Sequence, residues 1–170
     1  MEEKVILVDE LDNEIGLMNK LEAHQKSLLH RAFSIFIFND KKELLLQQRA
    51  KNKYHSALLW TNTCCSHPRP NETLLDAASR RIMEEMGINC NLNYRFNFIY
   101  QTSLENNLFE NELDHVYTGL FNGSFQFNKE EVNDFKWISL EELKKEVDIN
   151  PENYTVWFKI IIKNHLEKII

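Results

Sequence analysis

The chain has 170 residues, 43% hydrophobic and 27% charged, with a formal net charge of −6. That length supports one domain with a sizeable core, and the diffuse acidic balance argues against nucleic acid as a partner, because phosphate backbones call for a basic face. No apolar run approaches the ~20 residues of a membrane span.

In chain order, residues 5–8 and 15–18 read as short strands around an LDN turn, a hairpin. Residues 20–29 are polar and end beside a second histidine. Residues 32–38 are aromatic and β-branched, a strand, followed by an Asn39-Asp40 turn and a second strand over 43–49 with LLL at its centre. KNKYHS reads as a basic loop, and 58–61 as a short apolar stretch. The next segment, NETLLDAASRRIMEEMG, carries Leu74, Leu75, Ala78, Ile82 and Met86 at helical spacing. Asn71 is the expected N-cap, with Glu72 in the first turn and Gly87 closing the helix. Strands are expected at 94–102, 109–121 and 135–138, a short helix at 140–146, a break at Asn150-Pro151, and a last helix over 154–166. With no repeat and no Pro/Gly/Ser linker, residues 1–170 read as one α+β domain.

Three cysteines, two of them adjacent, make a poor disulfide framework and point to a reducing compartment. MEEKVILVDE lacks the basic-then-apolar pattern of a secretory signal, so the expected address is the cytoplasm. Nothing in the sequence fixes an oligomeric state. TNTCCSHPRP, residues 61–70, places His67 two positions after Cys65; taken alone, buried thiols, a metal site and a catalytic nucleophile all remain open. Likewise Arg80 with Glu84 and Arg81 with Glu85, each four apart, read alone as a solvated salt-bridged helix face. Glu110 and Glu112 alternate onto one face of a strand, which alone reads as an edge strand with solvated charges.

The stretch SHPRPNETLLDAASRRIMEEMGI, residues 66–88, resembles the Nudix box, G-x5-E-x7-R-E-U-x-E-E-x-G-U, with U aliphatic. Glu72, Arg80, Ile82, Glu84, Glu85, Gly87 and Ile88 fall in register. Two positions depart: Ser66 stands for the opening glycine and Arg81 for the acidic residue after the arginine. The resemblance implies a Nudix-like mixed β-sheet sandwiched by helices. It puts pyrophosphate hydrolysis in doubt, because hydrolases use that acidic cluster to load metal.

AHQKSLLHRAFSIFIFN, LLLQQRAKNKYHS, WTNTCCSHP, the altered box, FENE and a late Trp157 together resemble the type 1 isopentenyl-diphosphate isomerases, Nudix-fold enzymes that do not hydrolyse their substrate. This likeness spans roughly residues 5 to 160. It implies a metal-dependent isomerase of isoprenoid biosynthesis that turns isopentenyl diphosphate into dimethylallyl diphosphate. By that likeness Cys65 and Glu112 are the proton-transfer groups, Tyr100 partners Glu112, and Trp157 faces a carbocation. The metal ligands fall on His24, His30, His67, Glu110 and Glu112, a mixed N/O set suited to Mn, Mg or Zn. Glu85 falls on the site of a magnesium bound with the substrate diphosphate, and Lys20, Arg49, Lys53 and Arg81 on its cations. Protonating an unactivated alkene yields a tertiary cation that water would trap, so the site must exclude water and stabilise positive charge. The expected traffic has the Glu112 side protonate the alkene while Cys65, as thiolate, takes the proton from the other carbon. A Nudix hydrolase of a nucleoside diphosphate derivative is the alternative; it leaves Cys65, His24, His30 and the ENE strand without a task. A non-catalytic module with a decayed box would not need both proton-transfer groups, and a structural zinc protein lacks its usual CxxC pairs.

Overall fold

A computed structural model describes residues 3–170. The described residues form strands β1 (Lys4–Val8) and β2 (Glu14–Asn19), a short helix α1 (Lys20–Gln25), then β3 (His30–Phe38), β4 (Glu43–Arg49), β5 (Trp60–Thr61) and β6 (Cys64–Ser66). Helix α2 (Leu74–Met86) follows, then β7 (Leu92–Ser103), β8 (Phe109–Leu120), β9 (Val132–Ser139), α3 (Leu140–Ile149) and α4 (Val156–Ile169). The expected hairpin is present: Asp9 Oδ1 accepts the backbone N–H of both Leu11 and Asn13 at 2.9 Å, closing the turn between β1 and β2.

The organising strand is β3. On one side it runs parallel to β8 from His30↔Glu112 to Phe38↔Leu120, while on the other it meets β1, β6 and β4 in antiparallel register at successive positions. Because β3 is interior, both of its faces are apolar, and alternation sorts them. Phe33, Ile35 and Ile37 join Leu45, Ala78, Ile82 and Met86 in a core under α2. Phe36, Leu44, Leu46 and Val116 join Phe158, Ile161 and Leu143 in a second core under α3 and α4. The sheet is therefore mixed and covered by helices on both faces, an α+β architecture. No helix among the described residues is long and apolar enough to cross a membrane.

Four local departures from the sequence reading have physical causes. Helix α2 is capped by Thr73, whose hydroxyl accepts the Asp76 N–H at 3.1 Å; Asn71 instead adopts φ 65° in the preceding turn, a left-handed state asparagine tolerates. Leu75, expected on the apolar stripe, is exposed. Helix α1 was not legible, being six residues long, mostly polar, and held by its cap, Asn19, which accepts from Leu21 N at 3.0 Å. Strand β6 is three residues long, too short for a periodic signal. Gly87 ends α2 as expected with φ 66°, and a Cβ there would collide with the Gln126 carbonyl, so the loop after β8 can lie across the helix end only over glycine.

Candidate active site

Alternation also sorts the functional side chains. In β6, Cys64 enters the core under α2 while Cys65 packs against the core under α4. Glu110, Glu112 and Val116 share one parity of β8, and Tyr100 stands opposite Glu112 on β7. Strand β8 lies between β3 and β7, so it is an interior strand and the two glutamates are buried, not solvated on an edge. One pocket is lined by Lys20, His24, Arg49, Lys53, Cys65, His67, Arg81, Glu85, Tyr100, Glu110, Glu112 and Trp157. His30 lies behind its wall, fully buried. Every site residue read from the sequence thus converges on one place.

The histidines are placed where they could serve as ligands. His24 Nδ1 lies 3.0 Å from the Phe109 carbonyl and His30 Nδ1 lies 2.8 Å from the Leu28 carbonyl. A carbonyl only accepts, so both Nδ1 atoms donate, and it is the Nε2 atoms that face the cluster. His67 Nε2 lies 2.9 Å from Glu112 Oε1, and His30 Nε2 lies 3.5 Å from the same oxygen. Ligand atoms of His24, His30 and His67 fall within 4.8 Å of one another, as do those of His30, Glu110 and Glu112. His24 Nε2, His30 Nε2, His67 Nδ1 and Glu110 Oε2 are buried without a hydrogen-bond partner. Such orphaned polar atoms are costly unless something satisfies them, and a divalent ion fits this donor set.

Charge states follow from the same burial. His24 is pushed down to about 4 by burial and by His67, so it is neutral and able to ligate. Burial and the neighbouring Glu112 push Glu110 well above the usual carboxylate range. Burial alone would raise Glu112 too, yet His30 and His67 outweigh it and hold this carboxyl well below that range. The Tyr100 hydroxyl, itself kept protonated by burial, donates to Glu112 Oε2 at 2.6 Å. Burial, with Glu85, Glu112 and Asp114 adding to it against Arg49, pushes the Cys65 thiol up to about 12. A shift in that direction favours the thiol over the thiolate, because withdrawing the sulfur from water disfavours the charged form.

At the mouth, the four cations are held by carboxylates and carbonyls. Lys20 pairs with Glu3 at 3.0 Å, Lys53 with Glu131, and Arg81 with Glu85 and with Glu84, the latter at 2.7 Å. Arg49 donates to the Ser56 and His55 carbonyls at 3.1 and 3.2 Å, and its guanidinium carbon lies 5.3 Å from the Trp157 ring centroid. Arg80 reaches Glu84 as expected, at 3.2 Å, but grips Glu72 more closely, at 2.7 and 2.8 Å, tying the box's loop to its helix. Sequence reasoning missed Ser34, Tyr54 and His55, which also line the pocket. His55 lies buried in the loop read only as basic, its ring 5.9 Å from Trp157.

A fold-specific ion should stabilise the folded state by mass action. At a divalent-ion concentration a hundredfold above Kd the gain is about 2.7 kcal/mol, or roughly 5–10 °C in Tm for a chain of this size. Scanning calorimetry of chelator-treated protein, with and without added ion, should show that rise, and His24→Gln should remove most of it.

The sheet covered on both faces and the loop-and-helix carrying Glu72, Arg80 and Glu85 define a Nudix-fold protein, and a NUDIX domain family model matches residues 28–158. The fold is similar to that of DR0079 from Deinococcus radiodurans, with a TM-score of 0.77 over 95% of this chain and 98% of that one at 16% identity. It is also similar to a MutT protein from Methanosarcina mazei Go1, with a TM-score of 0.65 over 79% of this chain and 91% of that one at 20% identity. Sequence similarity is narrower in kind. The chain is 52% identical over 157 residues to Isopentenyl-diphosphate Delta-isomerase 2 of Aromatoleum aromaticum, covering 92% of this chain and 83% of that protein. It is 51% identical over 164 residues to Isopentenyl-diphosphate Delta-isomerase of Serratia proteamaculans, covering 96% of this chain and 92% of that protein. The chain belongs to the isopentenyl-diphosphate Delta-isomerases of the Nudix family.

Proposed function

We propose that this protein is an isopentenyl-diphosphate Delta-isomerase of isoprenoid biosynthesis, acting in the cytoplasm through residues 1–170 as one domain. Its reaction is the 1,3-allylic proton rearrangement of isopentenyl diphosphate to dimethylallyl diphosphate. A proton is added to the terminal CH2 carbon, giving a tertiary carbocation, and another is lost from C2. The observation that carries this reading is the pairing of a half-buried thiol, Cys65, with a buried carboxylate, Glu112, in one pocket that Trp157 also lines.

Such a reaction needs one partner loaded with a proton and one empty. The resting charge states supply that: Cys65 as thiol and Glu112 as carboxylate, with Tyr100 donating to Glu112. The two groups exchange roles in the reverse direction. The Trp157 face stabilises the cation by cation–π attraction, worth about 2 kcal/mol or more when desolvated. Lys20, Arg49, Lys53 and Arg81 hold the diphosphate by charge-assisted bonds, and binding energy from that remote group positions the alkene. His24, His30, His67, Glu110 and Glu112 would hold a divalent ion, whether Mn, Mg or Zn, whose positive charge would tune the acidity of Glu112. Glu85 would hold a magnesium ion that offsets the charge of the substrate diphosphate. In this reading Arg81, paired with Glu84 and Glu85, takes the place of the carboxylate that a hydrolase would use.

Proton NMR of the protein with isopentenyl diphosphate, Mg and Mn in deuterated water tests the reading. Dimethylallyl diphosphate carrying deuterium is the expected product. Release of phosphate or pyrophosphate in its place would mark a hydrolase, and an unchanged spectrum with metal bound would sink the assignment of Cys65 and Glu112.

A further inference from the structure

Trp157 lies in the first turn of α4 and is 3% exposed. Its indole Nε1 donates to Thr61 Oγ1 at 3.0 Å, and Thr155 Oγ1 lies 2.9 Å from the same oxygen. Thr61 Oγ1 in turn lies 2.9 Å from Asn62 Oδ1. The Asn62 amide nitrogen lies 2.6 Å from the Cys64 carbonyl and 3.2 Å from the Ile35 carbonyl. Thr61, Asn62 and Thr155 are fully buried.

Elementary valence fixes the direction of every bond. Both carbonyls only accept, so they take the Asn62 NH2, and Asn62 Oδ1 is left as an acceptor. Thr61 gives it the one proton it has. The indole N–H only donates, so it fills one lone pair of the Thr61 oxygen, and Thr155 fills the other. The Thr61 hydroxyl is therefore saturated, and no rotation of it preserves all three bonds. Thr155 stands at the N-cap of α4, where a threonine hydroxyl ordinarily accepts a helix N–H. It caps nothing here, because its hydroxyl is turned to Thr61.

This chain runs from the aromatic wall of the pocket to the strand that carries the thiol. The Trp157 ring packs in the core under α4, and the directional bond at Nε1 sets its orientation within that packing. Strand β6 is three residues long and joined to β3 by a short register, and Asn62 ties its first carbonyl to β3 as well. We infer that Thr61 is a positioning residue for the isomerisation: it sets the Trp157 ring against the substrate's carbon chain while, through Asn62, it fixes the strand of Cys65. The inference rests on the role proposed above for Trp157.

The test compares wild type, Thr61→Val, Thr61→Ser, and protein in which Trp157 is replaced by 3-benzothienylalanine, which keeps the aromatic face and lacks the N–H. The readouts are kcat and KM for isopentenyl diphosphate, the Trp157 indole 15N–1H resonance, and the fraction of turnovers ending in the tertiary alcohol, formed when water adds to the cation and releases a proton. For Thr61→Val we expect kcat to fall about 10- to 100-fold, as for a small misplacement of a reacting pair, with KM little changed and the alcohol appearing. Thr61→Ser should restore kcat, and the benzothienyl protein should reproduce the loss, whether or not Thr61→Val folds. A benzothienyl protein with wild-type kcat would overturn the inference, as would a displaced indole resonance in Thr61→Val with kcat intact, or a loss confined to KM. Wild-type protein that isomerises nothing would instead remove the functional reading on which the inference rests.

Discussion

Replacing Glu112 with glutamine is expected to lower kcat by about 10²- to 10⁴-fold, the range for removal of a general acid or base. The exchange keeps shape and volume and changes only what the group can do with protons. Glu112 accepts the Tyr100 hydroxyl proton on Oε2 at 2.6 Å and faces His67 at 2.9 Å and His30 at 3.5 Å with Oε1. An amide can serve one of these two oxygen positions as an acceptor and not the other, and it neither gains nor loses a proton near neutral pH. Metal content of the variant, measured alongside turnover, separates lost chemistry from lost ion. A variant that keeps full metal and turns over within tenfold of wild type would remove Glu112 from the reaction.

Cys65→Ala should lose turnover over a similar range, about 10²- to 10⁴-fold, with substrate binding retained. The prediction is sharpened by the residue beside it. Cys64 differs from Cys65 by one strand position, and that step turns its side chain into the core under α2. Cys64→Ala should therefore keep most of its turnover and lose a little stability from the small void it leaves. Steady-state kinetics on the two alanine variants decide the matter; the reverse pattern would move the thiol's role to Cys64.

The part of this site that the sequence disclosed was the part written at fixed spacing. Glu72, Arg80, Glu84 and Glu85 fall in register with the Nudix box because a loop and a helix hold fixed offsets, and the predicted Arg80–Glu84 and Arg81–Glu85 pairs are present. Strand existence was legible from the aromatic and β-branched run at residues 32–38 and from the apolar LLL within 43–49. Convergence was not, because His30 and Glu112 are brought together by a parallel pairing that spacing cannot show, and only family likeness joined them. The resting charge on Cys65 was not legible for a related reason. A thiolate was inferred from the chemistry required, whereas the protonation state depends on burial, which a sequence does not display. His55 escaped because a histidine among lysines and serine looks like surface, and Thr61 escaped because its partners, Asn62 aside, lie on a helix nearly a hundred residues away.

That parallel pairing has a kinetic consequence. His30 and Glu112 meet only when β3 and β8 zip together across the chain that separates them, a long loop closure of the slow kind. Until that ladder exists, its histidines and glutamates are scattered along an open chain and offer an ion no shared seat. An ion bound there acts as a clasp on a ladder already zipped. It should lengthen the lifetime of the folded molecule more than it shortens the time taken to reach it, the pattern expected of contacts absent from the folding transition state.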